Sequence, residues 1–425
     1  MKYETAKLPN GVRVVAAPLA GRKSAALGIW VHAGGRDESE KLNGVAHFLE
    51  HLVFKGTSRR TAKEIKEAIE GVGGSLNAFT SEEYTCFLSK TSERHLDQAF
   101  DVLSDMTLNA LLEPKDIEKE RAVIMEEIKM TQDLPSELVE EVFSELIWPG
   151  HALGRPLAGT LQSVGALKRE GIQNFKSEFY NSHFITVAAS GAVSLERLLA
   201  LADRAFSKTG RAPKKRLDSF KSGRSGRRLK VLSKKTEQTH LVLGVHAQAK
   251  EHPDQYALDL LSVILGGNMS SRLFNEVREE KGLAYDIGST VRRYHDTGAF
   301  MVSAGVDNRK PEEALRTILS ELKKITREPP PKDELRRAKE FYTGQMELGL
   351  ESAMSHMLWV GESMVCLGRC KTPGEVLERV AKITSGDIRR VARGIFKSDR
   401  CYLAAVGPRV DKMQKNFSKL LSDLP

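Results

Sequence analysis

Apolar and polar positions first alternate with a period of two. Over residues 3–17 the run Leu8-Pro9-Asn10-Gly11-Val12-Arg13-Val14-Val15 predicts two short strands around an Asn-Gly turn, and the apolar run at 25–31 extends this early β layer. The period then lengthens to that of a helix, and residues 45–54, 62–69 and 92–108 each present one apolar face. Residues 75–90, between the second and third of these, read as strand. A further helix is expected from Pro114, a residue favoured at a first helical position, to about Gln132, ahead of Pro135.

The same order of elements returns later in the chain. Residues 239–245 read as a strand, 255–265 as a helix and 298–304 as a strand. Pro114-Lys115-Asp116 is echoed 217 residues on by Pro331-Lys332-Asp333, each opening a long charged helix. The two halves therefore read as diverged copies of one domain. The expected fold class is α+β: two similar domains from a duplication, each a mostly antiparallel sheet packed with helices. Their boundaries fall at 1–207 and 231–425, with a basic linker at 208–230.

Composition limits what such a chain can be. With 425 residues and 40% hydrophobic content it is long enough for more than one core. A mean hydropathy of −0.34 and the lack of an apolar run near membrane-spanning length predict no membrane span. Met1-Lys2-Tyr3-Glu4 opens no apolar signal segment, so a cytoplasmic location is expected. Four scattered cysteines do not make a disulfide framework, and the Cys366/Cys370 pair, one helical turn apart, is read as packing. The net charge of +9 is concentrated at 208–230, where Lys214, Lys215, Arg216, Lys221, Arg224, Arg227 and Arg228 lie among Gly, Ser and Pro. Phe220 is the one aromatic residue there, so a solvated linker is expected rather than a base-stacking, nucleic-acid-binding surface.

One stretch carries chemistry. In Gly44-Val45-Ala46-His47-Phe48-Leu49-Glu50-His51-Leu52 the histidines stand four residues apart, which on a helix puts both imidazoles on one face. Glu50 projects beside them, where it can reach a water at a metal's open position without being a ligand. The H-x-x-E-H order inverts the commoner H-E-x-x-H and supplies the same groups. Apolar Val45, Phe48, Leu49, Leu52 and Val53 hold the trio close to a buried face, where polar groups need partners or a metal. On the helix expected from Pro114, Glu120 and Glu127 are two turns apart and share a face. One can complete a His2Glu site while the other orients a histidine; spacing does not say which.

With these motifs the chain resembles the pitrilysin or insulinase-type metallopeptidases, in particular the short branch that includes the mitochondrial processing peptidase β subunit and its bacterial relatives. The resemblance extends over nearly the whole chain. It implies that the third zinc ligand is Glu127, which lies 76 residues beyond His51, and that Glu120 supports a ligand from behind. Gly73 to Thr85, containing Leu76-Asn77-Ala78-Phe79-Thr80, resembles the family's edge strand, on which an extended substrate pairs by backbone hydrogen bonds. Arg272 to Tyr285 resembles the segment whose Arg and Tyr contact substrate and the reacting carbonyl, here Arg278 and Tyr285. Aligning Gly56 with Gly267 places Leu258, Leu261 and Ser262 where His47, Glu50 and His51 stand, and Gly344 answers to Glu127, so one zinc per chain is expected.

The resemblance thus implies a zinc endopeptidase in which Glu50 serves as general base. Two such chains would enclose a chamber as a homodimer with a composite active site, admitting extended oligopeptides or presequence-like peptides. The alternative within the same family is a non-catalytic scaffold subunit, against which the intact His47, Glu50, His51, Glu127, Arg278 and Tyr285 argue.

Overall fold

A computed structural model describes residues 2–210, 219–220 and 228–422. Most of the basic stretch expected as a linker lies outside the described residues. The chain forms two compact units, each built on one sheet. The first sheet contains β1 (Glu4–Lys7), β2 (Arg13–Pro18), β3 (Ser24–Val31), β4 (Ser75–Thr80), β5 (Thr85–Ser92) and β6 (Ile185–Gly191), in the order β1-β2-β6-β3-β5-β4. The second contains β7 (Leu229–Ser233), β8 (Gln238–Ala247), β9 (Ala284–Arg293), β10 (Gly298–Asp307) and β11 (Cys401–Gly407), in the order β7-β11-β8-β10-β9. Without β1 the two orders are the same permutation, and each sheet has a single parallel pair, β2 with β6 and β7 with β11. The duplication is thus written in the topology.

The elements follow from the patterning. Lys7 pairs with Arg13 across the Asn10-Gly11 turn, where Gly11 takes φ 110°, open to glycine at no steric cost. Central β3 and β6 are almost wholly buried; β3 is apolar on both faces, while β6 carries Thr186 and Ser190 on one of its faces. The expected strand 75–90 is two strands: Ser81 N–H donates to Tyr84 O at 2.8 Å and turns the chain between them. The expected helix 45–54 is helical at Val45–Leu52 and tightens into a 3-10 turn at Val53–Lys55. Pro114–Asp133 forms the long helix as read.

The compact units are not contiguous stretches of chain. The first unit takes Met1–Ile128, Arg155–Asp218 and Glu347–Gly374, and the second takes Lys129–Gly154, Ser219–Met346 and Glu375–Pro425. Each sheet is therefore covered on one face by a helix from the other half of the sequence. Helix Ala353–Leu367 packs Met357, Val360 and Met364 against Trp30, Ala26 and Ala188 of the first sheet. Helix Pro135–Ile147 packs Val139, Val142 and Phe143 against Val242, Met301 and Ala404 of the second. The approach is close: a Cβ on Gly361 would lie 2.3 Å from the Trp30 indole, and one on Gly244 2.5 Å from Phe143 Cζ. Packing thus joins stretches from both sides of the 208–230 segment within each unit. Cys370 is buried beside Val365 in this layer, and all four cysteines are free. Among the described residues no helix is long and apolar enough to cross a membrane.

Candidate metal centre

The motif helix Val45–Leu52 is anchored by Val45, Ala46, Phe48, Leu49 and Leu52, all buried in the first unit's main core. This leaves His47, Glu50 and His51 partly exposed on the remaining face. Its start is built with care. Gly44 takes φ 93°, and a Cβ there would meet Ala158 O at 2.7 Å. The buried Glu38 carboxylate accepts from the N–H groups of Gly44 and Ala46, both at 2.8 Å, and from Asn43 Nδ2 at 3.1 Å. An anion at the positive end of the helix is favourable. Burial nevertheless pushes the Glu38 carboxyl up to about 7, against the lowering pull of those donors and of Arg155.

The long helix brings its carboxylates to this face at two depths. Glu127 Oε2 lies 3.6 Å from His51 Nε2 and 3.9 Å from His47 Nε2. One ligand atom from each of the three falls within 4.8 Å of the others. Glu120, one of the helix's buried residues, meets the other side of His51, its Oε2 3.2 Å from Nδ1. Its Oε1 accepts from Lys55 Nζ at 2.6 Å. A carboxylate facing Nδ1 fixes the proton there and leaves the Nε2 lone pair turned toward Glu127. Glu126 is exposed.

These positions fit a tetrahedral divalent ion. Ligands about 2.0–2.2 Å from zinc sit roughly 3.3–3.6 Å apart, close to the two separations between the imidazoles and Glu127, which are too long for hydrogen bonds. The donor set is a borderline-soft His2Glu with room for a fourth group. Burial, helped by the neighbouring His51, lowers His47 to about 4, so its imidazole is neutral, the form that binds metal, at ordinary pH. Glu50 stands next to the trio. Burial raises its carboxyl above the usual range, with Glu127 acting in the same direction, while Thr80 and His51 pull it down. Thr80 Oγ1 donates to Glu50 Oε2 at 2.5 Å.

Leu76 to Thr80 lie in β4, an edge strand hydrogen-bonded to β5 alone. Arg278 and Tyr285 lie in the second unit, on a π-helical turn at Phe274–Glu280 and at the start of β9. The structure brings this pair together: the Arg278 guanidinium is 5.2 Å from the Tyr285 ring centroid and 4.6 Å from that of Phe274. Tyr285 is 74% exposed. At the places equivalent to the motif, Leu258, Leu261 and Ser262 are buried, and Ser262 Oγ bonds to Ser289. Lys55 and Glu38 were not singled out from sequence. Lys55, one turn beyond His51, shares its helical face and could have been found; a buried carboxylate in the irregular segment before the helix leaves no periodic signal.

Two family models match the chain, Insulinase (Peptidase family M16) over residues 13–161 and Peptidase M16 inactive domain over 166–342. An uncharacterized zinc protease of Streptomyces coelicolor is 38% identical over 412 residues, covering 95% of this chain and 89% of that protein. The uncharacterized zinc protease YmxG of Bacillus subtilis is 34% identical, covering 94% of this chain and 97% of its own. A solved structure of a protease from Helicobacter pylori superposes with a TM-score of 0.91 at 26% identity, covering 96% of this chain and 99% of that one. The chain belongs to peptidase family M16.

Proposed function

We propose that the protein is a zinc-dependent endopeptidase with one zinc per chain, held by His47, His51 and Glu127. The convergence of the two Nε2 atoms and the Glu127 carboxylate, with Glu50 alongside, carries this reading. A zinc ion bound there would supply Lewis acidity, lowering the pKa of water at its open position and polarising the scissile carbonyl. Glu50 takes a proton from the attacking water and returns it to the leaving amine, work suited to a carboxyl whose proton affinity burial has raised. Glu120, backed by Lys55, holds the His51 ring in its tautomer.

The open edge of β4 offers main-chain donors and acceptors to an extended peptide, so affinity comes largely from backbone and makes small sequence demands. Tyr285, supported by Arg278, supplies donors to the developing oxyanion. The assembly in this reading is a homodimer enclosing a chamber, which favours unstructured oligopeptides or presequence-like peptides over folded proteins. The test is zinc content, together with cleavage of an unstructured peptide library, for the wild type and Glu50→Gln. The expected result is a variant that keeps zinc and loses turnover. A wild type that binds no zinc and cleaves nothing in the library would instead mark a scaffold subunit.

A further inference from the structure

We infer that Thr80 is the positioning residue of the general base, joining the strand that receives the peptide to the carboxylate that moves the proton. This rests on the assignment of Glu50 proposed above. One donor fixes Glu50: the Thr80 hydroxyl, 2.5 Å from Oε2. A glutamate side chain has several rotatable bonds, and this one is repelled by the neighbouring Glu127 carboxylate. A donor held in place by the strand selects one orientation from that freedom.

The mount is rigid. Thr80 is the last residue of β4, and its side chain shares a face with those of Leu76 and Ala78, both packed on the core that carries the motif helix. Its partner across the ladder is Thr85, itself buried and donating through Oγ1 to Ala33 O at 3.0 Å. The turn closed by Ser81 and Tyr84 follows at once. Thr is stiff at χ1, so the hydroxyl direction is set by the backbone. Peptide pairing along the edge of β4 uses main-chain groups, whereas Glu50 is reached by the Thr80 side chain. The two roles of the strand are therefore separable by substitution.

The test uses the full-length zinc-loaded protein and a fluorogenic, unstructured peptide that the wild type cleaves. In Thr80→Val, which keeps shape and removes the hydroxyl, kcat falls about 10- to 100-fold, as for other small misplacements of a reacting group. KM, zinc content and thermal unfolding stay near wild type, and Thr80→Ser restores kcat to within a few-fold. Unchanged kcat in Thr80→Val, a change confined to KM, loss of zinc, or failure of Thr80→Ser to restore turnover would each overturn the inference. Glu50→Gln is run in parallel. If it is inactive while Thr80→Val is unaffected, only the role of Thr80 falls; if it is fully active, the general-base assignment falls and this inference with it.

Discussion

The two units share a sheet order and a helix laid against the sheet, yet where one carries His47, Glu50 and His51 the other carries Leu258, Leu261 and Ser262. In the second unit those positions are filled core, and Ser262 closes on Ser289 within the fold. In the first they stay half open and lean on groups from outside their own helix: Glu120 behind His51, Thr80 beside Glu50, Glu38 under the helix start. The difference teaches that the topology does not depend on the polar trio. Retaining a site on this frame costs apolar burial on one helix face and demands a set of supporting contacts that the silent copy has no use for.

The sharpest way to break the comparison is to place the same side chain at matching positions. Glu50→Gln is expected to retain zinc and lower turnover by about 10²- to 10⁴-fold. Leu261→Gln buries an amide without a partner and is expected to lower stability by roughly 2–5 kcal/mol, with zinc content of the folded protein unchanged. Metal analysis with urea unfolding distinguishes the two outcomes; a Leu261→Gln protein that unfolds like wild type would remove the claim that its site is core.

Next in size is the support behind His51. Glu120→Gln should weaken zinc binding about 10- to 100-fold in a competition titration with a chelator, with Lys55→Met giving a smaller loss in the same direction. Equal affinities in all three proteins would reduce Glu120 and Lys55 to a structural ion pair.

The covering helices allow a like-for-like test of packing. Gly361→Ala and Gly244→Ala each drive a methyl into a buried aromatic ring, Trp30 in one unit and Phe143 in the other. Each should lower stability by roughly 1–3 kcal/mol in urea unfolding.

The last comparison concerns pH in the metal-free protein. His47 and His246 are both lowered by burial from 6.5 to about 4. Between those values the unfolded chain binds more protons than the folded one, so stability falls as pH drops from 6.5 toward 4, by at most about 3 kcal/mol per histidine. Glu38, raised from 4.5 to about 7, has the opposite sign: its penalty is present above 7 and fades as pH falls toward 4.5. Glu38→Gln should therefore steepen the acid loss seen in urea midpoints measured across this range.

Much of this was legible in the sequence because the signals are local. Histidines four apart within an apolar frame specify a helix with one reactive face, and carboxylates seven apart specify two turns of another. Spacing alone did not say which glutamate completes the trio, and the family resemblance was needed to choose Glu127: Glu120 and Glu127 lie on the same stripe and differ in depth, with side chains 6% and 38% exposed. The turn at 81–84 was missed because Ser81-Glu82-Glu83-Tyr84 lacks Gly or Pro to mark it. The helices Pro135–Ile147 and Ala353–Leu367 illustrate a deeper limit. An amphipathic pattern says that a face is covered, not which sheet covers it.

That reciprocal loan of helices makes the midpoint of the chain a poor place to cut. Residues 1–207 expressed alone would leave Trp30 and its neighbours without their roof and would carry a helix whose apolar side has lost its seat. Each half is a hostage to the other, and the unit that carries the motif helix is complete only once the chain has been made as far as Gly374.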